Sequence, residues 1–316
     1  MKEIPVFFSI DDSYAPYLSV ALISAQKNAS INNNYRAIVL YKDLSEENKE
    51  SLKKLEKANF KIDFVPMTDG LESITDSMGN RLRCDYFTLT IYFRLFIPAM
   101  FPQYDKGIYL DSDIVVTGDL AELYNTDIGD NYIGACQDKS VVDVEPLALY
   151  MEKAVGVSRY KYINSGVLLM NLKELRERNL DGHFLELLGK YHFDCIAPDQ
   201  DYLNALCSDK IYYLDEKWDA MPNESKPPLE NTAIIHYNLF SKPWCYDGIQ
   251  YGDIFWEYAK ESEYLENIKD FKNSYSDEQK ASDEKCLALL TDRGVEIANS
   301  DVTFKKMFES GVKIRL

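Results

Sequence analysis

The sequence predicts an α/β domain with a mainly parallel sheet. Strand-length apolar runs alternate with helical segments from the first residues onward, in the order strand, helix, strand, helix, strand. The composition agrees: 316 residues, 46% hydrophobic and 13% aromatic, suffice to bury a large core and exclude wholesale disorder.

Ile4 to Ile10 is a continuous apolar strand ending in Asp11-Asp12-Ser13-Tyr14. Tyr17, Val20, Ala21 and Ser24 then share one face of a helix over 15–29. Arg36 to Tyr41 is a second strand, Ser45 caps the next helix with Glu46 and Glu47 in its first turn, and Phe60 to Val65 is a third strand. No glycine precedes Gly70, which argues against a glycine-rich phosphate loop or a dinucleotide fingerprint after the first strand. A nucleotide at that strand's end must be held by side chains. Asp11, Ser13 and Tyr14 are placed for it, although they also read as an ordinary acidic helix start.

Phe87 to Phe101 reads as an apolar helix stopped by Pro98 and carrying one charge, Arg94, which needs a partner if buried. In Gly107 to Val116 two carboxylates, Asp111 and Asp113, interrupt an apolar strand. One residue apart on an extended chain, they leave the same side and can face one cation while Ser112 faces away. Mg²⁺ and Mn²⁺ want such oxygen-rich sites, usually with substrate phosphates completing the shell. Taken alone, the pair also reads as a polar turn after a strand.

Next come a short helix from Asp119, a strand from Tyr132 to Cys136, and a loop-helix region to Arg159. Tyr162 to Asn171 is another apolar strand, broken by Asn164 and Gly166, the mark of a bend or of close approach. Pro198 opens a helix whose first turn presents Asp199 and Gln200, Asp199 being either the N-cap or part of a site. Ala233 to Tyr237 ends a strand on His236, structural or ligating, with Lys242-Pro243-Trp244 close behind. From Tyr251 the chain turns to aromatic and acidic helices. Phe304 to Leu316, with Lys305, Lys306, Lys313 and Arg315, reads as a solvated helix that touches an anionic membrane surface at most weakly.

A formal net charge of −17 argues against nucleic acid as a partner and requires local cations for any anionic substrate. The absence of an apolar signal region or spanning segment leads us to expect a cytoplasmic protein. Six cysteines without Cys-x-x-Cys or zinc-like spacing read as reduced thiols.

Four motifs in order resemble the family 8 glycosyltransferases, retaining enzymes that include bacterial lipopolysaccharide galactosyltransferases, glycogenin and the galactinol synthases. They are Ser9-Ile10-Asp11-Asp12-Ser13-Tyr14; Tyr109-Leu110-Asp111-Ser112-Asp113; Asn164-Ser165-Gly166-Val167 with Asp199-Gln200-Asp201; and His236-Tyr237 with Lys242-Pro243-Trp244. The resemblance covers residues 4–250 and implies a GT-A type catalytic domain over 1–250, leaving a helical extension over 251–316. It implies Mn²⁺, or Mg²⁺, on Asp111, Asp113 and His236, and a UDP-sugar donor. Donor contacts are implied for Ser9, Asp11, Ser13, Tyr14, Arg94, Asp111, Ser112, Asn164, Asp199, Gln200 and Lys242. Asp11 and Tyr14 fall at the uracil and ribose, Lys242 at the diphosphate, and Asn164, Asp199 and Gln200 around the sugar, the last two as catalytic residues. Ser13 stands where the galactosyltransferases commonly have Asn. The implied acceptor is a glycan or lipid-linked glycan. A metal-dependent sugar nucleotidyltransferase and a non-catalytic glycan- or cation-binding module are the rival readings.

Overall fold

The computed structural model describes residues 3–67 and 89–316. Its first part runs β1 (Glu3–Ile10), α1 (Ala15–Asn28), β2 (Asn34–Tyr41), α2 (Glu46–Lys53), β3 (Phe60–Pro66), α3 (Phe93–Met100), β4 (Gly107–Leu110), β5 (Ile114–Val116) and α4 (Leu120–Tyr124). Then follow β6 (Ile133–Gln137), α5 (Glu145–Tyr150), β7 (Ile163–Met170), α6 (Leu172–Glu177), α7 (Leu180–Tyr191), α8 (Pro198–Cys207), β8 (Ile211–Tyr213) and β9 (Ile234–His236). Four helices close the chain: α9 (Gly252–Ala259), α10 (Leu265–Ser274), α11 (Asp277–Asn299) and α12 (Phe304–Glu309).

Seven strands form the main sheet in the order β3-β2-β1-β4-β7-β6-β8, and β5 pairs with β9 in a small second sheet. Only β7 runs against its neighbours, antiparallel to β4 and β6, so the sheet is mainly parallel as expected. Both faces are covered. Phe7, Tyr109 and Leu168 pack into one core, while Val6, Phe8, Ile108 and Leu169 pack into the other. That explains why these strands read as unbroken apolar runs rather than alternating ones. From β1 the chain builds outward to β2 and β3 on one side, and β4 lies on the other. The reversal leaves a crevice beyond the carboxyl ends of β1 and β4, the ordinary binding place in an open α/β sheet. Asp11 and Asp111 directly follow those two strands.

Three sequence expectations need correction. Residues 107–116 are not one strand: Asp111 N–H still bonds to Gly166 O (2.8 Å) beside β7, but Asp113 O already accepts from Tyr237 N–H (3.0 Å) beside β9. The chain changes sheets across Ser112, which is buried, and the carboxylates occupy the gap between two ladders rather than a pleat. Pro98 does not stop α3, which runs to Met100; residues 87–88 of that expected helix lie outside the described residues. The C-terminal segment is helical only over Phe304–Glu309, where Phe304 alone is buried, and not on to Leu316. After α12 the chain docks, with Ile314 buried, Ile314 O bonded to His183 Nε2 (2.8 Å) and Leu316 N–H to Leu206 O (3.1 Å). The Ile314 carbonyl is thereby satisfied by the protein.

Among the described residues no helix is long and apolar enough to cross a membrane. The five cysteines there are free thiols, and Cys84 lies outside them.

Candidate active site

The break between β4 and β5 and the end of β9 bring Asp111, Asp113 and His236 together, one ligand atom of each lying within 4.8 Å of the others. His236 is 2% exposed. Its Nδ1 faces Asp219 Oδ1 at 3.0 Å, which turns Nε2 toward Asp113 Oδ1 (3.3 Å) and Asp111 Oδ2 (3.8 Å). A carboxylate behind a histidine fixes the ring's tautomer and orientation, the usual support of a metal-bound imidazole. Burial alone would lower the pKa of His236, but Asp113 and then Asp219 overcome it and push the ring up to about 10. Asp113 is held well below the usual carboxylate range, because Lys242 and His236 outweigh its burial. A cluster that holds a proton this tightly is also suited to a divalent cation, whose binding requires the neutral ring and releases that proton. One nitrogen beside two carboxylates suits Mn²⁺ better than Mg²⁺, which prefers all-oxygen shells.

Gly166 makes this convergence possible. A Cβ there would run into His236 Cε1 and come within 2.8 Å of Asp111 Oδ2. Where the sequence suggested a ligand or a bend at this strand, the close neighbours of Gly166 are these two side chains.

Lys242 pairs with Asp113 on one side of the cluster. On the other side Arg94 is buried, as its apolar helix anticipated, and is fully engaged. Its Nη2 donates to Asp111 Oδ1 (2.9 Å), its Nε lies 3.1 Å from Asp199 Oδ2, its Nη1 donates to Ser165, and the guanidinium sits 4.3 Å over the Tyr109 ring. Asp199 also accepts from Ser165 Oγ (2.8 Å). The N-cap of α8 is Ala197, with Pro198 in the first turn, so Asp199 is not the cap; its Oδ2 is engaged by Arg94 and Ser165.

Gln200 and Asn164 both reach Asp138, which the sequence did not single out. Gln200 Nε2 and Asn164 Nδ2 donate to Asp138 Oδ2 at 2.9 and 3.1 Å, while Gln200 Oε1 accepts from Ser165 N–H (3.1 Å). Asp138 thereby sets which end of the Gln200 amide faces the Arg94 side. Its sequence signal was its place at the end of β6. Asp219, between Trp218 and Ala220 in irregular chain, had none.

At the end of β1 the two acidic residues divide their work. Asp12 takes Ser45 N–H (2.7 Å) and Asn48 Nδ2 (2.8 Å) at the start of α2, whereas the Asp11 carboxylate accepts from Ser13 Oγ (2.6 Å). Ser9 Oγ is buried without a hydrogen-bond partner among the described residues, and burial followed by the Asp113 charge raises the Tyr14 hydroxyl well above its usual range. The end of β1 therefore adjoins the Asp113 corner.

A sequence profile of the family described as Glycosyl transferase family 8 matches residues 5–248. The chain belongs to glycosyltransferase family 8. A Haemophilus influenzae protein named as a glycosyltransferase is 31% identical over 220 residues, 69% of this chain and 64% of its own length. The lipopolysaccharide glucosyltransferase WaaO of Escherichia coli K12 is 28% identical, over 62% of this chain and 60% of its own. The family 8 chain thus matches somewhat under two thirds of each relative. The galactosyltransferase LgtC, solved with donor and acceptor sugar analogues, superposes with a TM-score of 0.69 at 27% identity, over 88% of this chain and all of its own. The fold is of the GT-A type.

Asp201, next to Gln200, is a structural carboxylate. Fully buried, it accepts from the Tyr162 (2.6 Å) and Tyr150 (2.7 Å) hydroxyls and from Ala197 N–H (2.9 Å). Desolvation outweighs those donors and raises it to about 6. Below about pH 4 the carboxyl is protonated in folded and unfolded chains alike. Between about 4 and 6 only the folded chain keeps the proton, so this group's stabilisation, roughly 3 kcal/mol, is lost as pH rises through that window. Asp201→Asn should remove that slope, read as the difference between variant and parent in urea melts at pH 4 and pH 6.5. Parallel profiles would refute the assignment.

Proposed function

We propose that this family 8 enzyme transfers a hexose, galactose or glucose, from a UDP-sugar to a hydroxyl of a glycan or lipid-linked glycan, with Mn²⁺ and with retention at the anomeric carbon. One observation carries the reading: Asp111, Asp113 and His236 converge beyond the sheet's switch point, with a lysine on one side and the Arg94–Asp199–Gln200 group on the other. Such a site offers a diphosphate cationic contacts at one end and a sugar polar contacts at the other. Asp11, Ser13 and Tyr14 would hold the nucleoside, and Ser9 and Ser112 would shape the floor beneath it. The ion supplies Lewis-acid stabilisation of the leaving diphosphate. Lys242 adds an ammonium where that charge develops.

Retention needs either a carboxylate nucleophile or attack by the acceptor from the departing group's own face. Of the carboxylates flanking Gln200, Asp199 has Oδ2 engaged by Arg94 and Ser165, and Asp201 is buried on two tyrosines. Gln200 is a poor nucleophile. This favours the front-face route, in which the departing phosphate oxygen takes the acceptor's proton and the Gln200 amide oxygen, which already accepts from Ser165 N–H, turns its remaining lone pair toward the cationic sugar carbon. Gln200→Ala should then lower transfer by about 10²-fold without abolishing it; a covalent sugar trapped on Asp199 would overturn this route. The whole reading is tested by assaying UDP-hexoses with and without Mn²⁺. Turnover of at least one, dependent on the ion, is expected, and none with any donor would refute it.

A further inference from the structure

We infer that Lys272, on α10 and outside the span matched by the family, is a positioning residue for the donor diphosphate, acting through the loop that carries Lys242. The inference rests on the proposed role of Lys242. Three acceptors, all on that loop, surround its ammonium: Pro243 O (3.0 Å), Tyr246 O (3.0 Å) and Asp247 Oδ1 (2.8 Å). An ammonium has three protons, so this one is fully used in pinning one short segment.

The pinned segment is a tight turn. Lys242 O accepts from both Cys245 and Tyr246 N–H at 3.0 Å, so the backbone that orients the Lys242 side chain moves with the carbonyls Lys272 holds. Between them Trp244 is buried, stacked on Tyr17 at 4.2 Å and packed on Phe255 of α9 at 4.8 Å. A second tie comes from α11, where Asp283 Oδ2 accepts from the hydroxyls of Tyr246 and Tyr275, each at 2.6 Å. Four helices, α1, α9, α10 and α11, thus converge on five residues next to Lys242, more restraint than an ordinary surface loop receives. A phosphate-binding lysine on a flexible stem gains most from a fixed root, because each lost degree of freedom is otherwise paid for on binding.

The test compares ligands with and without a diphosphate. Lys272→Met keeps an unbranched side chain of similar length and loses the ammonium, with its three hydrogen bonds and its place 5.3 Å over the Trp256 ring. We expect UDP in Mn²⁺ to bind about tenfold more weakly by calorimetry while uridine binds as to the parent, with KM for the donor raised by a similar factor and kcat nearly unchanged. Tyr246→Phe, a milder cut in the same brace, should give a smaller loss with the same UDP-over-uridine selectivity and serves if Lys272→Met does not fold. Lys242→Ala is the control. If it loses UDP affinity while both brace variants bind UDP as the parent does, or lose UDP and uridine alike, the inference is wrong and the reading of Lys242 stands. If Lys242→Ala keeps UDP affinity, that reading fails and the inference with it.

Discussion

Asp113→Ala will lower Mn²⁺-dependent turnover of a UDP-hexose by about 10³-fold or more, the largest effect expected of any single side chain here. The carboxylate has three partners. It is a proposed metal ligand, it pairs with Lys242, and its Oδ1 lies 3.3 Å from His236 Nε2. Truncation leaves a partly buried ammonium and a buried imidazole without their shared counter-charge, so the metal end and the diphosphate end fail together. Asp113→Asn keeps the shape, removes the charge and should lose nearly as much, which separates electrostatics from packing. Steady-state rates across a Mn²⁺ titration check both variants. Parent-like turnover at saturating Mn²⁺ in Asp113→Ala would remove the metal cluster from the proposal.

Gly166→Ala should cost about 10²-fold or more in the same assay, and stability as well. The added methyl overlaps His236 Cε1 and crowds Asp111 Oδ2, on a strand whose eight residues are all buried. The strand cannot retreat, because β4 and β6 hold it on both sides. The histidine must swing away from Asp113, or the strand must shift. Overpacking of this kind costs about 1–3 kcal/mol. A metal-free melting scan and a Mn²⁺ titration separate the two effects, and unchanged Mn²⁺ affinity would show that the ring need not sit where it does.

Much of this molecule could be read in its residues. The strands legible as apolar runs were β1, β2, β6, β7 and β9, since double-sided burial favours apolar side chains, whereas β3 alternates, with Lys61 exposed between Phe60 and Ile62. Asp111, Asp113 and His236 stood out because charged or titratable groups ending apolar runs need a reason. The lone charge on an apolar helix foretold the burial of Arg94 and its pairing, though not with which carboxylates. The break at Ser112 was not legible. An apolar residue paired in one sheet looks the same in sequence as one paired in another.

What the sequence determined by itself is the inventory: a parallel α/β sheet, an acidic pair, a histidine and a lysine, in an order that marks family 8. Tertiary structure alone decided how they are used. It made Asp201 structural and committed Asp199 to Arg94, introduced Asp138 and Asp219 as supports, and brought α10 and α11 against the Lys242 loop. The physical reason is range. Helical and strand periodicity act over a few residues and leave their trace in composition, whereas a hydrogen bond from Lys272 to Pro243 or from Gln200 to Asp138 joins distant segments that only the packed core brings together.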